Sequence, residues 1–217
     1  MKFFLAVIIS FSGFVAHSQS KYMFVFLSGN NHNSSLSEAQ QDRLQTGHKN
    51  HIIKLTEEKK LKLAGSFEKG GGIFILNTNS VDTAREWMSE DPAVATKRYK
   101  TEILPWTPRL GSVCTAQHPM EYETYTFVRY NTYITKFNVR DAPQLFRQHD
   151  VYLKEIEKTG NVISEGVFDN SDGGTLIMKG EVAKAVIMND PSVKNGIIDP
   201  EIKIIWVAKG SFCEHNN

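Results

Sequence analysis

The chain repeats itself, and an internal repeat restricts the available folds more than any short motif does. With His48 set against His149, an offset of 101, Leu44 meets Leu145, Ile52 meets Leu153, Leu55 meets Ile156 and Gly65 meets Gly166. Further along, Gly71-Gly72 before Ile73-Phe74-Ile75 meets Gly173-Gly174 before Thr175-Leu176-Ile177. Asp91-Pro92 meets Asp190-Pro191 after a two-residue deletion, and Trp106 meets Trp206 at an offset of 100. Chance can supply any one of these matches, but not the ordered set.

Period and punctuation give the same elements in each copy. Residues 22–27 are aromatic and β-branched and read as a strand. Ser37, with Glu38 and Gln40 behind it, caps a helix whose apolar stripe carries Leu44, His48, Ile52 and Leu55. Residues 61–67 and 73–77 are short strands about the glycine turn 70–72. Ser80 or Asp82 opens a second helix through Met88, Pro92 closes that region, and 99–106 is the last strand. The second copy runs as strand 124–130, a helix from Asp141 through Lys158, strands 162–168 and 175–179, helix 181–188 and strand 202–208.

The order βαββαβ, twice over, is that of the ferredoxin-like unit. Such a unit covers one face of its sheet with helices and leaves the other apolar face needing a partner. The expected architecture is therefore α+β, with two ferredoxin-like units packed sheet to sheet as an intrachain pseudodimeric α/β barrel. Residues 21–106 form the first unit and 122–210 the second. Residues 107–121, with Pro108, Gly111 and Pro119, read as the linker.

Residues 1–18 are set apart from the fold. Lys2, an apolar run through Val15 and the small residues about His17 have the pattern of a cleaved secretory signal. The expected location is secreted or periplasmic. Removing those 18 of the 217 residues leaves 199, with 24 basic against 24 acidic side chains once Lys2 is subtracted. A neutral chain with no basic patch is not expected to bind nucleic acid or, after signal cleavage, a membrane surface. Cys114 and Cys213 follow Trp106 and Trp206 in matched Gly-Ser-x-Cys contexts. In an exported chain they can bridge; two separate buried thiols are the other reading.

The candidate catalytic residues are His48 with Asp91 and His149 with Asp190. Each histidine lies on the apolar stripe of its helix, where a partly desolvated imidazole can work as a base near neutral pH. A core histidine satisfied by a carbonyl has the same sequence appearance. Each aspartate precedes a proline, which suits a turn, and it also suits a carboxylate that orients the imidazole. His48 and His51 have i, i+3 spacing suited to a metal, but Tyr152 replaces the second histidine in the other copy and no carboxylate completes a set. No metal and no cofactor is therefore called for, and no phosphate-binding loop or serine-nucleophile motif is present.

Gly47-His48, Ala64-Gly65, the glycine turn and Glu90-Asp91-Pro92 together resemble the YCII-related (YciI-like) family. The second copy is similar through His149, Glu165-Gly166, Gly173-Gly174 and Asn189-Asp190-Pro191. The resemblance implies a dimeric α/β-barrel fold with a His/Asp-centred active site, which falls on His48 with Asp91 and His149 with Asp190. Ala93 and Ser192 stand where that family usually has an aromatic after the Asp-Pro pair.

Two functions follow as expectations. One is an enzyme moving a proton on a small organic substrate, as in elimination or isomerisation, with lyase- or isomerase-like activity. The other is a non-catalytic small-ligand-binding or scaffold protein that retains the barrel. Association into a homo-oligomer is left open by the sequence.

Overall fold

The computed structural model describes residues 22–29, 36–114, 121–132, 140–169 and 173–213. The signal-like residues 1–18 lie outside them.

The first half contains β1 (Tyr22–Gly29), α1 (Glu38–Glu57), β2 (Leu61–Phe67), β3 (Gly72–Leu76), α2 (Val81–Ser89), α3 (Pro92–Ala95) and β4 (Tyr99–Leu110). The second contains β5 (Tyr122–Thr132), α4 (Ala142–Glu157), β6 (Val162–Phe168), β7 (Gly173–Lys179), α5 (Lys184–Met188), α6 (Pro191–Lys194) and β8 (Ile198–Ala208). Among the described residues these strands close one antiparallel barrel in the order β1-β3-β2-β8-β5-β7-β6-β4. Each half supplies a contiguous run, β4-β1-β3-β2 or β8-β5-β7-β6, and the halves join through the β2–β8 and β4–β6 ladders. The halves thus meet edge to edge, which leaves no sheet edge unpaired and removes the hazard an open edge carries.

Period-two alternation divides the strands between two environments. Phe24, Phe26, Ile73, Ile75, Phe127 and Ile177 point into the barrel with Phe168 and Trp106 and fill it with side chains. Met23, Val25, Leu27, Phe74 and Leu76 point outward beneath α1 and α2. In the second half, Val128, Tyr130, Leu176 and Met178 do the same beneath α4 and α5. The barrel interior is a packed core, so any ligand site has to lie outside it, between helix and sheet.

The ladders correct one sequence match. Tyr22 in β1 faces Trp106, and Tyr125, its counterpart in β5, faces Ile205 rather than Trp206. Trp106 is fully buried and Trp206 is 41% exposed. A one-residue offset along a strand reverses the face, so the two tryptophans are not equivalent. Gly65 and Gly166 do correspond: a Cβ on Gly166 would lie 2.5 Å from the Trp106 indole, and one on Gly65 would lie 2.7 Å from Ile205.

Other boundaries also shift. β4 runs on to Leu110, so the segment 107–121, expected as a linker, begins inside a strand. Pro108 is accommodated there because the ladder to β6 is interrupted between Pro108 and Leu110, where a missing N–H costs little. The helix expected over 181–188 starts only at Lys184. Thr126 explains this, since its hydroxyl accepts from the Val182 N–H at 2.8 Å and donates to the Gly180 carbonyl at 2.8 Å. Pro92 and Pro191 open short helices, α3 and α6, rather than closing a region, each at the first turn, where a missing N–H is harmless.

Cys114 and Cys213 form a disulfide with Cα atoms 5.3 Å apart. Val113 and Phe212 pair in an isolated bridge beside it, and both side chains enter the barrel core.

Candidate functional site

The site begins with the way α1 is seated. Ser37 and Gln40 start the helix: the Ser37 N–H donates to Gln40 Oε1 at 2.9 Å. Immediately before its first buried residue, His48, the helix carries Gly47, where an added Cβ would come within 2.9 Å of Pro92 Cγ. The missing side chain lets α1 lie directly on the start of α3. That contact brings His48 to Asp91.

Asp91 is fully buried and uses both carboxylate oxygens. Oδ1 accepts the Ala93 N–H at 2.8 Å and so caps α3. Oδ2 lies 2.6 Å from Nδ1 of His48. Burial pushes the Asp91 carboxyl up, but the His48 hydrogen bond, that ring's charge and the Ala93 N–H outweigh it and hold Asp91 below the usual carboxylate range. An ionised carboxylate only accepts, so Nδ1 carries the proton. When the ring is neutral, Nε2 is the nitrogen with the free lone pair; when it is charged, both nitrogens carry protons.

His48 is 8% exposed, stacked 5.8 Å from Phe74 and tilted 5.4 Å from Tyr99. It lines a cavity of about 440 Å³ between α1 and the outer face of β2 and β3, which reaches Trp206 and Ala208 on β8 across the β2–β8 seam. The wall is mainly apolar and aromatic, from Leu27, Ile52, Phe74, Tyr99 and Trp206, and the cations on it are Lys49 and Lys62. Among the described residues no acidic side chain lines it. Among the described residues Ile53, Tyr122 and Trp206 belong to the few large hydrophobic side chains that are exposed, and all three lie on this cavity.

The structure brings the second candidate pair together in the same way. Nδ1 of His149 is 2.5 Å from Oδ2 of Asp190, whose Oδ1 accepts the Ser192 N–H at 2.8 Å. Here α4 is tied to α6 by a hydrogen bond instead of a glycine contact, from the Ser192 hydroxyl to the Leu145 carbonyl at 2.6 Å. Tyr130 stands edge-on to His149, with ring centres 4.9 Å apart, and takes the position that Leu27 holds in the first half. Burial, with Asp190 and Glu165 adding to it, pushes the Tyr130 phenol well up, so it stays neutral. Nearby, Arg109 makes a two-pronged ion pair with buried Glu165 and reaches Asp150 at 3.3 Å.

His51 emerges as more than half of a metal-like spacing. It is buried, with Nε2 unpartnered among the described residues. Burial lowers its pKa against the pull of Asp91 and Glu90, so it sits neutral beside the first pair. Among the described residues no cluster of three or more histidine, cysteine, aspartate or glutamate side chains is placed to hold a metal ion. Nor is any described helix long and apolar enough to cross a membrane. Tyr99, Phe74 and Lys49 were not singled out in the sequence, because their meeting depends on the helix–sheet crossing and not on any local pattern.

No family model matches this sequence, and no curated protein matches it significantly. Solved structures do. A "putative monooxygenase" from Lactobacillus acidophilus NCFM superposes with a TM-score of 0.46 at 8% identity, over 87% of this chain and 94% of its own. A "putative monooxygenase" from Fusobacterium nucleatum subsp. nucleatum does so with a TM-score of 0.51 at 8% identity, over 88% of this chain and 94% of its own. At such identity the likeness speaks for the fold alone, and the fold is a closed α+β barrel of the dimeric α/β-barrel type.

Proposed function

We propose that this protein is an exported, YCII-type enzyme built from two ferredoxin-like units, 21–106 and 122–210, and that it moves a proton on a small organic substrate held against His48. The observation that carries this reading is the pairing of His48 Nδ1 with buried Asp91 at the wall of a cavity lined by apolar side chains and lysines. Nε2 is then the base. In an elimination it takes a proton from carbon, the C–H electron pair becomes the new double bond, and the leaving group departs with its own pair. In an isomerisation the same proton returns at another carbon. Asp91 holds the ring in register and stabilises the imidazolium that forms. Lys49 and Lys62, with no acidic neighbour on the wall among the described residues, favour a substrate that joins an apolar ring to an anionic group. Export is supported by the disulfide, which belongs to an oxidising compartment. The two-unit reading is supported by the matching strand order of the halves.

The test is proton exchange in deuterated water with a panel of unsaturated and halogenated cyclic carboxylic acids, followed by NMR. The expected result is exchange or elimination on at least one of them that His48→Ala abolishes and His149→Ala leaves intact. Equal rates with His48→Ala, or no reaction with the unmodified protein, would contradict the reading.

A binding-only function is favoured by one observation: the His149–Asp190 pair persists beside Tyr130, where its geometry serves to tie α4 to α6. Under that reading the panel binds without exchanging, and His48→Leu, which leaves the buried Asp91 carboxylate without its imidazole partner, lowers thermal stability without costing any turnover.

A further inference from the structure

The ladders give each residue of the first half a counterpart in the second, and three positions on the cavity wall have counterparts that touch one another. Ala64 pairs with Phe74, and Glu165 pairs with Leu176 at the equivalent place. Gly65 faces Val207 and Gly166 faces Pro108, so Ala208, one residue on, corresponds to Arg109. Lys49 and Asp150 each follow the histidine of their helix. Thus Ala64, Ala208 and Lys49, which line the cavity, are replaced in the second half by Glu165, Arg109 and Asp150. Those three form one cluster: Arg109 Nη2 lies 2.7 Å and Nε 2.9 Å from the Glu165 carboxylate, and Nη1 lies 3.3 Å from Asp150. The Glu165 side chain is 5% exposed, so the guanidinium seals it from water.

We infer that the protein has one open ligand pocket and one sealed counterpart, with Arg109, clamped by Glu165 and Asp150, filling in the second half the volume that is a cavity in the first. Two methyl groups leave room for a ligand where a salt-bridged glutamate and arginine do not. The exchange also reverses the local charge, from a wall whose charged groups are Lys49 and Lys62 to a cluster of one cation and two carboxylates. Tyr130 in place of Leu27 adds bulk beneath the second histidine. The second half therefore keeps its His149–Asp190 pair as a tie between helices, and ligand binds once per chain. This deepens the proposed function by assigning its site to one half, yet it rests on the cavity and not on proton transfer, so the two can fail separately.

The test is the binding stoichiometry of anilinonaphthalene sulfonate, an apolar fluorescent anion, measured by calorimetry on the whole chain. The unmodified protein is expected to bind one dye. R109A/E165A removes the clamp without stranding a buried carboxylate, and is expected to bind two. The mirror variant A64E/A208R is expected to bind none. Should either variant fail to fold, the imidazole NMR signals of the unmodified protein decide: dye is expected to shift His48 and leave His149 in place. Two dyes or none on the unmodified protein, a single dye on folded R109A/E165A, or equal shifts at both imidazoles would overturn the inference.

Discussion

Asp91 uses its two oxygens for different purposes, capping α3 through Ala93 and orienting His48, and substitution can separate them. Asp91→Asn keeps an acceptor for the Ala93 N–H, but its amide donates toward Nδ1 and moves the ring proton to Nε2. Turnover is expected to fall about a hundredfold or more with little loss of stability. Asp91→Ala should additionally lose the cap, worth about 1 kcal/mol in a urea titration. Equal turnover for Asp91→Asn and the unmodified protein would remove Asp91 from the chemistry. Acid should destabilise the fold in two steps. His51 binds its proton less readily when folded than its ordinary value of 6.5, so the unfolded chain gains protons first and stability falls as pH drops through that region. Asp91, held below its ordinary 3.8, contributes stability that is lost as pH falls through its lower folded value. His51→Leu should abolish the first step and leave the second, as thermal melts between pH 7 and pH 3 would report. An unchanged pH dependence in His51→Leu would contradict this. At this scale the two histidines and two aspartates stood out because each recurs in the second copy, but that each aspartate reaches its histidine came only with the structure. The burial of His51 was not legible, since its counterpart Tyr152 breaks the repeat.

Elements are held apart here by the volume of single side chains. Gly47→Ala raises helix propensity by about 1 kcal/mol and at the same time drives a methyl against Pro92, a ring that cannot turn aside. Stability should therefore change little, while α1 lifts from α3, the His48–Asp91 hydrogen bond lengthens and turnover drops. Full activity in Gly47→Ala would show that this seat is not needed. Gly166→Ala should be worse for the fold than Gly65→Ala. The first meets the buried Trp106 indole, whose Nε1 is fixed by Thr175 at 3.0 Å, and the second meets the mobile end of Ile205. A loss of about 1–3 kcal/mol is expected for Gly166→Ala by urea unfolding, and a smaller loss for Gly65→Ala. The reverse order would contradict the packing described. Most elements could be read from the sequence because strand alternation, glycine turns and the Ser37–Gln40 start of α1 all agreed, and Asp141 does stand before α4, though without a side-chain capping hydrogen bond. Two of the exceptions share a cause: β4 extends past Trp106, and α5 starts late, because of partners distant in sequence. β6 lies alongside Thr107 and Pro108, and Thr126 holds the backbone at Val182.

At the scale of the whole molecule, a closed barrel with its two halves cross-linked at one end should resist unfolding as a unit. The bridge joins residues 99 apart, so replacing both cysteines, C114S/C213S, is expected to cost about 2–5 kcal/mol in urea unfolding. A change under about 1 kcal/mol would mean the bridge constrains little. A barrel was readable from the sequence; its closure edge to edge through β2–β8 and β4–β6, where sheet-to-sheet packing was expected, and the asymmetry of its halves were not. Arg109, Glu165 and Asp150 lie on three different elements and meet only when β4 and β6 close the barrel beneath α4. Nothing in their local sequence marks them as a group. The proposed chemistry requires that Asp91 fix the His48 ring with Nε2 toward a ligand. Long-range proton–nitrogen NMR of the labelled imidazoles, recorded with and without a bound cyclic carboxylic acid, tests it most directly. His48 is expected in its Nδ1–H form, with an Nε2 signal that moves when ligand binds, while His149 stays as it was. A His48 ring protonated on Nε2, or one indifferent to ligand, would contradict it.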